Sequence, residues 1–238
     1  MKVNRLHSWD VTPAEAIRIQ QQIRERVTRR GRILNPEFVA GADAAFDTDA
    51  NRVYAAVVVL RFPSLEPVET VISRSRLTFP YVPGLLAFRE APALLRAFAR
   101  VQHDPQVVFI DGHGVSHPRA AGIACHIGLS LDRPVVGCAK SLLTGTYKEP
   151  AASHGATSPV YDEAGSIVGA AVRTRDRVRP VFISIGHKIS LAEAVRLTLA
   201  CGKGYRIPES TRQADLLAER AKRETGFRLR TPSRRKAG

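Results

Sequence analysis

Residues 107–128, VVFIDGHGVSHPRAAGIACHIG, limit what this chain can fold into more than any other stretch. Four apolar residues, Val107 to Ile110, read as a fully buried strand. Asp111 stands where that strand ends. A short loop follows with Gly112, His113, Gly114, His117, Pro118 and Arg119. Ala120 to Leu129 then reads as an apolar helix. A strand, a carboxylate, a glycine-rich loop and a helix start form a common site for chemistry in α/β proteins. Glycines let backbone approach a ligand closely, and Arg119 has the fork geometry to take a phosphate at two points. Asp-Gly alone is an ordinary turn pair. Three histidines, an arginine and an aspartate within one such span ask for more than a turn.

The charge narrows the partners. Lys and Arg number 36 against 22 Asp and Glu, a formal net charge of +14 and a pI near 10.5. Such an excess favours a polyanion, nucleic acid above all. No apolar run reaches the roughly 18 residues of a membrane helix, and the N-terminus lacks a signal-peptide apolar region. Cys125, Cys138 and Cys201 are widely spaced, with no CxxC pair. They read as reduced core residues of a cytoplasmic protein.

Along the chain, Thr12-Pro13-Ala14-Glu15 is a capping box with proline at the first helical position. It opens a helix that carries Ala16, Ile19, Ile23 and Val27 and is expected to end at Arg29-Arg30-Gly31. Phe38 to Phe46 reads as a strand with Asp43 at its middle, Val53 to Arg61 as a second and Pro67 to Leu77 as a third. Short turns make these an antiparallel meander. Pro80 and Pro83 bracket Tyr81-Val82, so this piece is a stiff loop and no central strand. A helix follows from Leu85 to about Val101, carrying Glu90. Pro134 to Ala139 is a short strand ending at Lys140, and Thr144 to Ser158 reads as a loop. Ile167 to Thr174 and Pro180 to Ile185 are strands. Ser190 with Glu193 forms a second capping box, and a last helix runs from Ser210 to about Glu224. The order implies an α/β fold, a mixed sheet of meander plus parallel strands flanked by helices, as in a ribonuclease H-like core. One domain is expected over residues 1–225, with a basic, mobile tail over 226–238.

Four carboxylates stand out: Asp43, Glu90, Asp111 and Asp215. In this strand order the first strand lies beside the strand ending at Asp111, so Asp43 and Asp111 come together. Two adjacent carboxylates repel unless a divalent cation separates them. Hard oxygen ligands suit Mg²⁺, with Mn²⁺ able to substitute. Lys140 is placed to orient water or to stabilise charge on a phosphate.

The pieces AGADAAFD (40–47), PYVPGLLAFRE (80–90), DGHGVSHPRAAGIACHIGL (111–129), VGCAKSLLTG (136–145), SIGHKISLAEAV (184–195) and RIPESTRQAD (206–215) resemble the endonuclease V family, deoxyinosine 3′-endonucleases. The resemblance covers roughly residues 10 to 220. It implies that Asp43, Glu90 and Asp111 bind metal and act in catalysis. It also implies that Lys140 lies near the scissile phosphate and that Asp215, where some members carry His, is a further metal ligand. By the same resemblance Tyr81, within Pro80-Tyr81-Val82-Pro83, is a wedge that fills the gap left by a flipped base. Backbone at Gly84, Leu86, Gly112 and Ile123 then lines the lesion pocket, with His117 and Arg119 nearby. The implied activity is Mg²⁺-dependent hydrolysis of the second phosphodiester bond 3′ to deoxyinosine in DNA, leaving 5′-phosphate ends. The implied actor is a cytoplasmic monomer. Two alternatives stay open: an inosine-specific endoribonuclease acting on inosine-containing RNA, and a non-catalytic nucleic-acid-binding module.

Overall fold

The computed structural model describes residues 1–229, with side-chain surroundings given through residue 224. Its centre is one nine-stranded sheet in the order β3-β2-β1-β4-β5-β9-β8-β7-β6. Strands β1 (Phe38–Asp47), β2 (Arg52–Arg61) and β3 (Glu66–Arg76) form the expected antiparallel meander. β4 (Val107–Asp111) pairs parallel to β1, and β5 (Val135–Ala139) pairs parallel to β4. This is the mixed sheet of a ribonuclease H-like fold. Beyond β5 the sheet turns antiparallel through β9 (Val181–His187), β8 (Ile167–Val172), β7 (Thr157–Tyr161) and β6 (Thr146–Tyr147).

The continuous apolar run at 107–110 follows from burial on both faces. Val108 and Ile110 join one core with Val57, Phe88, Leu94 and Ile127. Val107 and Phe109 join the opposite one with Val58, Leu60, Ile183 and Leu197. Helix α2 (Leu86–Phe98) covers the first face beside β2 and β3. Helices α4 (Leu191–Ala200) and α5 (Glu209–Leu229) belong to the second, where α5 lies across β1 and β2. The contact with β1 depends on Gly41. A Cβ there would lie 2.1 Å from the Ser210 carbonyl carbon, so only glycine admits the start of α5.

Several boundaries differ from the sequence reading. Helix α1 (Pro13–Arg26) has the complete Thr12–Glu15 capping box but stops before Arg29. Val27 is already extended, and the next residues pair elsewhere: Lys188 N–H donates to Thr28 O at 2.7 Å and Ser190 N–H to Gly31 O at 3.0 Å. Long-range pairing thus outcompetes helix propagation. Helix α3 (Ile123–Leu131) starts three residues later than Ala120. Ala120 has φ +50°, and Gly122 N–H donates to Gly114 O, so residues 120–122 close the preceding loop on itself. Helix α2 gives out at Phe98 and is followed by tight turns to Val101.

The stretch 144–158 contains β6 and the start of β7. The alternation in TSPVY, with Ser158 and Val160 buried, was masked by Pro159. β6 pairs with only Val160 and Tyr161, so Pro159 sits outside that ladder. Only half of the second capping box forms. Ser190 Oγ accepts from Glu193 N–H, but the Glu193 carboxylate takes Ile33 N–H at 3.0 Å and Arg196. The expected domain limit at 225 falls inside α5, and the tail beyond 229 lies outside the described residues. Cys125, Cys138 and Cys201 are buried free thiols. Among the described residues, no helix is long and apolar enough to cross a membrane.

Candidate active site

The register between β1 and β4 aligns Ala42 with Ile110, which puts Asp43 beside Asp111 across the ladder. The register between β4 and β5 aligns Asp111 with Cys138, two residues before Lys140. Glu90 enters from α2, and Asp215 from α5, which Gly41 lets approach. All five line one cavity of about 570 Å³ together with Tyr81, Val82, Pro83, Gly84, Leu86, Gly112, His117 and Ile123. Pro80 and Arg119 lie outside its lining.

Lys140 Nζ lies 2.6 Å from Asp111 Oδ2 and 3.6 Å from Asp215 Oδ2. Burial pushes Asp43 up from 3.8 to about 8, and the charge of Asp111 adds to it. Asp111 is also raised by burial, against the hydrogen bond and charge of Lys140. Glu90 is 6% exposed and is held well above the carboxylate range by burial, then by Asp43 and Asp111. Lys140 is raised: burial works against its charge, but Asp111, Asp215 and Asp43 outweigh it. Arg206 holds this lysine's backbone by donating to Lys140 O.

Among the described residues, no three His, Cys, Asp or Glu side chains already stand as a closed metal cage. The Lys140 ammonium bridges Asp111 and Asp215 instead. The donor set nonetheless fits a hard divalent cation. Asp43, Glu90 and Asp111 offer carboxylate oxygens only, and each is pushed toward its protonated form by burial. Asp43 and Glu90 are pushed further by neighbouring carboxylate charge, the strain that a cation relieves.

The loop bearing Tyr81 is held from behind. Gly84 O accepts three hydrogen bonds, from Gln20 Nε2 at 2.9 Å, His117 Nε2 at 3.0 Å and Arg119 Nη2 at 2.8 Å. Arg119 Nε also donates to Gln20 Oε1. The half-buried guanidinium thus spends Nε and Nη2 on the protein. His117 Nδ1 accepts the Arg119 N–H, so the ring is neutral with its proton on Nε2; burial lowers it to about 4. Gly84 has φ +77°, and a Cβ would meet Arg119 Nη2 at 2.6 Å. In front of this clamp Tyr81 is 73% exposed. The Arg89 guanidinium lies 5.8 Å from its ring and 4.9 Å from that of Phe46.

Gln20 and His113 also line the cavity, and the sequence reading gave neither a role in the site. Gln20 is a fully buried polar residue on the apolar stripe of α1, and that misfit was its only signal. His113 lies in the loop already singled out. Its Nε2 donates to Ser141 O at 3.0 Å, and its Nδ1 is buried without a partner. His126 is fully buried on α3 and stacks with His7, Trp9 and Phe88, away from the cavity lining.

Comparisons with known proteins give the family. The Endonuclease V family model matches residues 21–216. Endonuclease V of Roseiflexus sp. (strain RS-1) is 49% identical over 210 residues, 88% of this chain and 93% of that protein. The crystal structure of endonuclease V from Streptomyces avermitilis superposes with a TM-score of 0.87 at 40% identity, covering 95% of this chain and 100% of that one. Human endonuclease V superposes with a TM-score of 0.82 at 37% identity, covering 90% and 100%. The carboxylates, Lys140 and the Pro-Tyr-Val-Pro loop all fall within the matched span, and the chain belongs to the endonuclease V family of nucleases.

Proposed function

We propose that this chain is a Mg²⁺-dependent endonuclease, with Mn²⁺ as a working substitute, that acts on DNA containing deoxyinosine. The reading has it cut the second phosphodiester bond 3′ to the lesion and leave 3′-hydroxyl and 5′-phosphate ends. One observation carries it: Asp43, Glu90, Asp111 and Lys140 meet in a cavity whose other wall is the clamped loop of Tyr81.

Asp43, Glu90 and Asp111 would hold the cation, with Asp215 at the edge of the set. When bound, such a cation supplies Lewis-acid polarisation of the phosphate and makes water a better nucleophile. Lys140 stays charged in this setting. Its ammonium donates to a phosphate oxygen as negative charge builds, after exchanging Asp111 for the substrate.

Recognition is assigned to the other half of the cavity. Hypoxanthine has a carbonyl where adenine has an amino group, so a backbone N–H in that direction accepts one and rejects the other. Ile123 opens α3, where first-turn N–H groups have no acceptor within the helix. Gly84 and Gly112 allow backbone to come close. Tyr81 offsets a few kcal/mol of stacking lost when the base leaves the duplex.

The deciding experiment is a nicking assay on a labelled duplex with one deoxyinosine, with Mg²⁺ and with chelator. Cleavage one nucleotide beyond the lesion's 3′ neighbour bond, in Mg²⁺ only, is expected. Cutting that ignores the lesion, or an inosine-containing RNA strand cut far faster than DNA, would overturn the substrate assignment.

A further inference from the structure

A second basic cleft lies apart from the carboxylates. Arg52, Arg74, Arg76 and Arg96 surround a cavity of about 400 Å³ with Asn51 and Ser75. No carboxylate lines it, and among the described residues none of the four arginines is in an ion pair. Four guanidinium groups held together without a counter-charge repel one another, which leaves a standing demand for an anion. Asp47, the register partner of Arg52, is turned into its own turn, where Oδ1 accepts the Ala50 N–H at 2.9 Å. Arg96 reaches over from α2 to donate to Ser75 Oγ.

The place of this cleft follows from the registers. Asp43 pairs with Ala56 and Ala56 with Ile72, whereas Asp47 pairs with Arg52 and Arg52 with Arg76. Arg76 is thus four residues further along the strands and two strands outward, with Arg52 one strand nearer and Arg74 two residues nearer. That displacement amounts to roughly 16 Å from Asp43, about five steps of a B-form strand. The arginines lie toward the same end of the sheet as the catalytic carboxylates. Between the two stands Arg89, whose guanidinium covers both Phe46 and Tyr81. Positive charge therefore continues from the wedge loop to the end of the β2–β3 ladder.

We infer that Arg52, Arg74, Arg76 and Arg96 form a clamp for the phosphodiester backbone of one duplex arm, about five base-pair steps from the phosphate held at the carboxylates. The inference rests on the proposed function for its orientation. An acidic protein or a lipid surface would also meet four arginines. The shared sheet end and the link through Arg89 favour the nucleic acid that enters the carboxylate cavity. Bidentate guanidinium–phosphate contacts need no particular base, so the clamp adds affinity and register without sequence preference.

The test uses the full chain and the variants Arg74→Gln/Arg76→Gln and Arg96→Gln, all at exposed positions. Binding to an undamaged duplex is followed by fluorescence anisotropy across a salt series. The double variant should flatten the slope of log K against log salt by about two, and bind roughly ten- to sixtyfold more weakly at ~0.1 M salt. The single variant should flatten it by about one. Shortening one arm of an inosine duplex to fewer than about five base pairs should weaken the wild type, and the double variant should be insensitive to that same shortening. The cleavage rate at saturating substrate should stay at the wild-type value. The Arg74→Lys/Arg76→Lys variant should keep most of the wild-type slope. Variants that keep the wild-type slope and arm dependence overturn the clamp, even where the wild type nicks inosine DNA. A wild type that nicks no inosine strand but shows the expected slope changes overturns the proposed function and leaves the clamp standing.

Discussion

Asp43→Asn is expected to make the cation-free protein more stable, and the gain should grow with pH. Asp43 titrates near 3.8 when unperturbed and near 8 in the fold. Its folded pKa is raised, so the folded state binds the proton more tightly than the unfolded chain does. Below about 3.8 both states are protonated and Asp43 costs nothing. Between 3.8 and 8 stability falls steadily, and above 8 the full cost of a buried charge is present. A shift of about four units corresponds to about 6 kcal/mol at ~1.36 kcal/mol per unit. Part of that belongs to the charge of Asp111, so removing one partner should recover about 2 to 6 kcal/mol. Asn keeps an oxygen for the Ala44 N–H and nearly the same volume, so packing changes little. For a chain of 238 residues, 1 kcal/mol moves Tm by roughly 2–4 °C, so a rise of at least about 5 °C is expected near pH 9. The assay is thermal unfolding in chelator at about pH 4 and about pH 9. Mg²⁺ should then stabilise the wild type by up to a few kcal/mol and Asp43→Asn much less. Equal melting of the two proteins near pH 9, or an equal gain at both pH values, would refute the argument that buried like charges strain this site.

Asp111→Ala should lower single-turnover cleavage by about a thousandfold or more while lesion binding survives, whereas Asp215→Ala, half exposed beside Lys140, should cost less; equal losses would reverse that ranking. Tyr81→Ala should reduce the preference for inosine over normal duplex by roughly ten- to a hundredfold, the worth of one stacking contact, and a variant with full preference but a much lower Tm would make Tyr81 a packing residue. Gln20→Met removes two of the hydrogen bonds that position the wedge loop, and should weaken the same preference about tenfold. In a Tyr81→Ala background that loss should vanish; additive losses would show that Gln20 does not act through the wedge.

The chain's local chemistry was legible wherever a residue's neighbours in sequence decided its state. The Thr12–Glu15 box, the two-sided apolar run before Asp111, and Asp43 inside an apolar strand each carried their meaning in a few residues, and the structure has all three. Strand order followed from short turns, and with it the meeting of Asp43 and Asp111. What the tertiary structure decided were outcomes settled by competition between distant partners. The first helix ends at Arg26 because residues near 188 claim the next backbone groups. Glu193 leaves its cap for Ile33 and Arg196. Arg119 has glycines and histidines around it in sequence, which do not show what its guanidinium meets. Only the fold brings Gln20 and Gly84 within reach of its half-buried guanidinium. Lys140 likewise has no acidic neighbour along the chain, and gains Asp111 and Asp215 only once β5 lies beside β4 and α5 crosses β1.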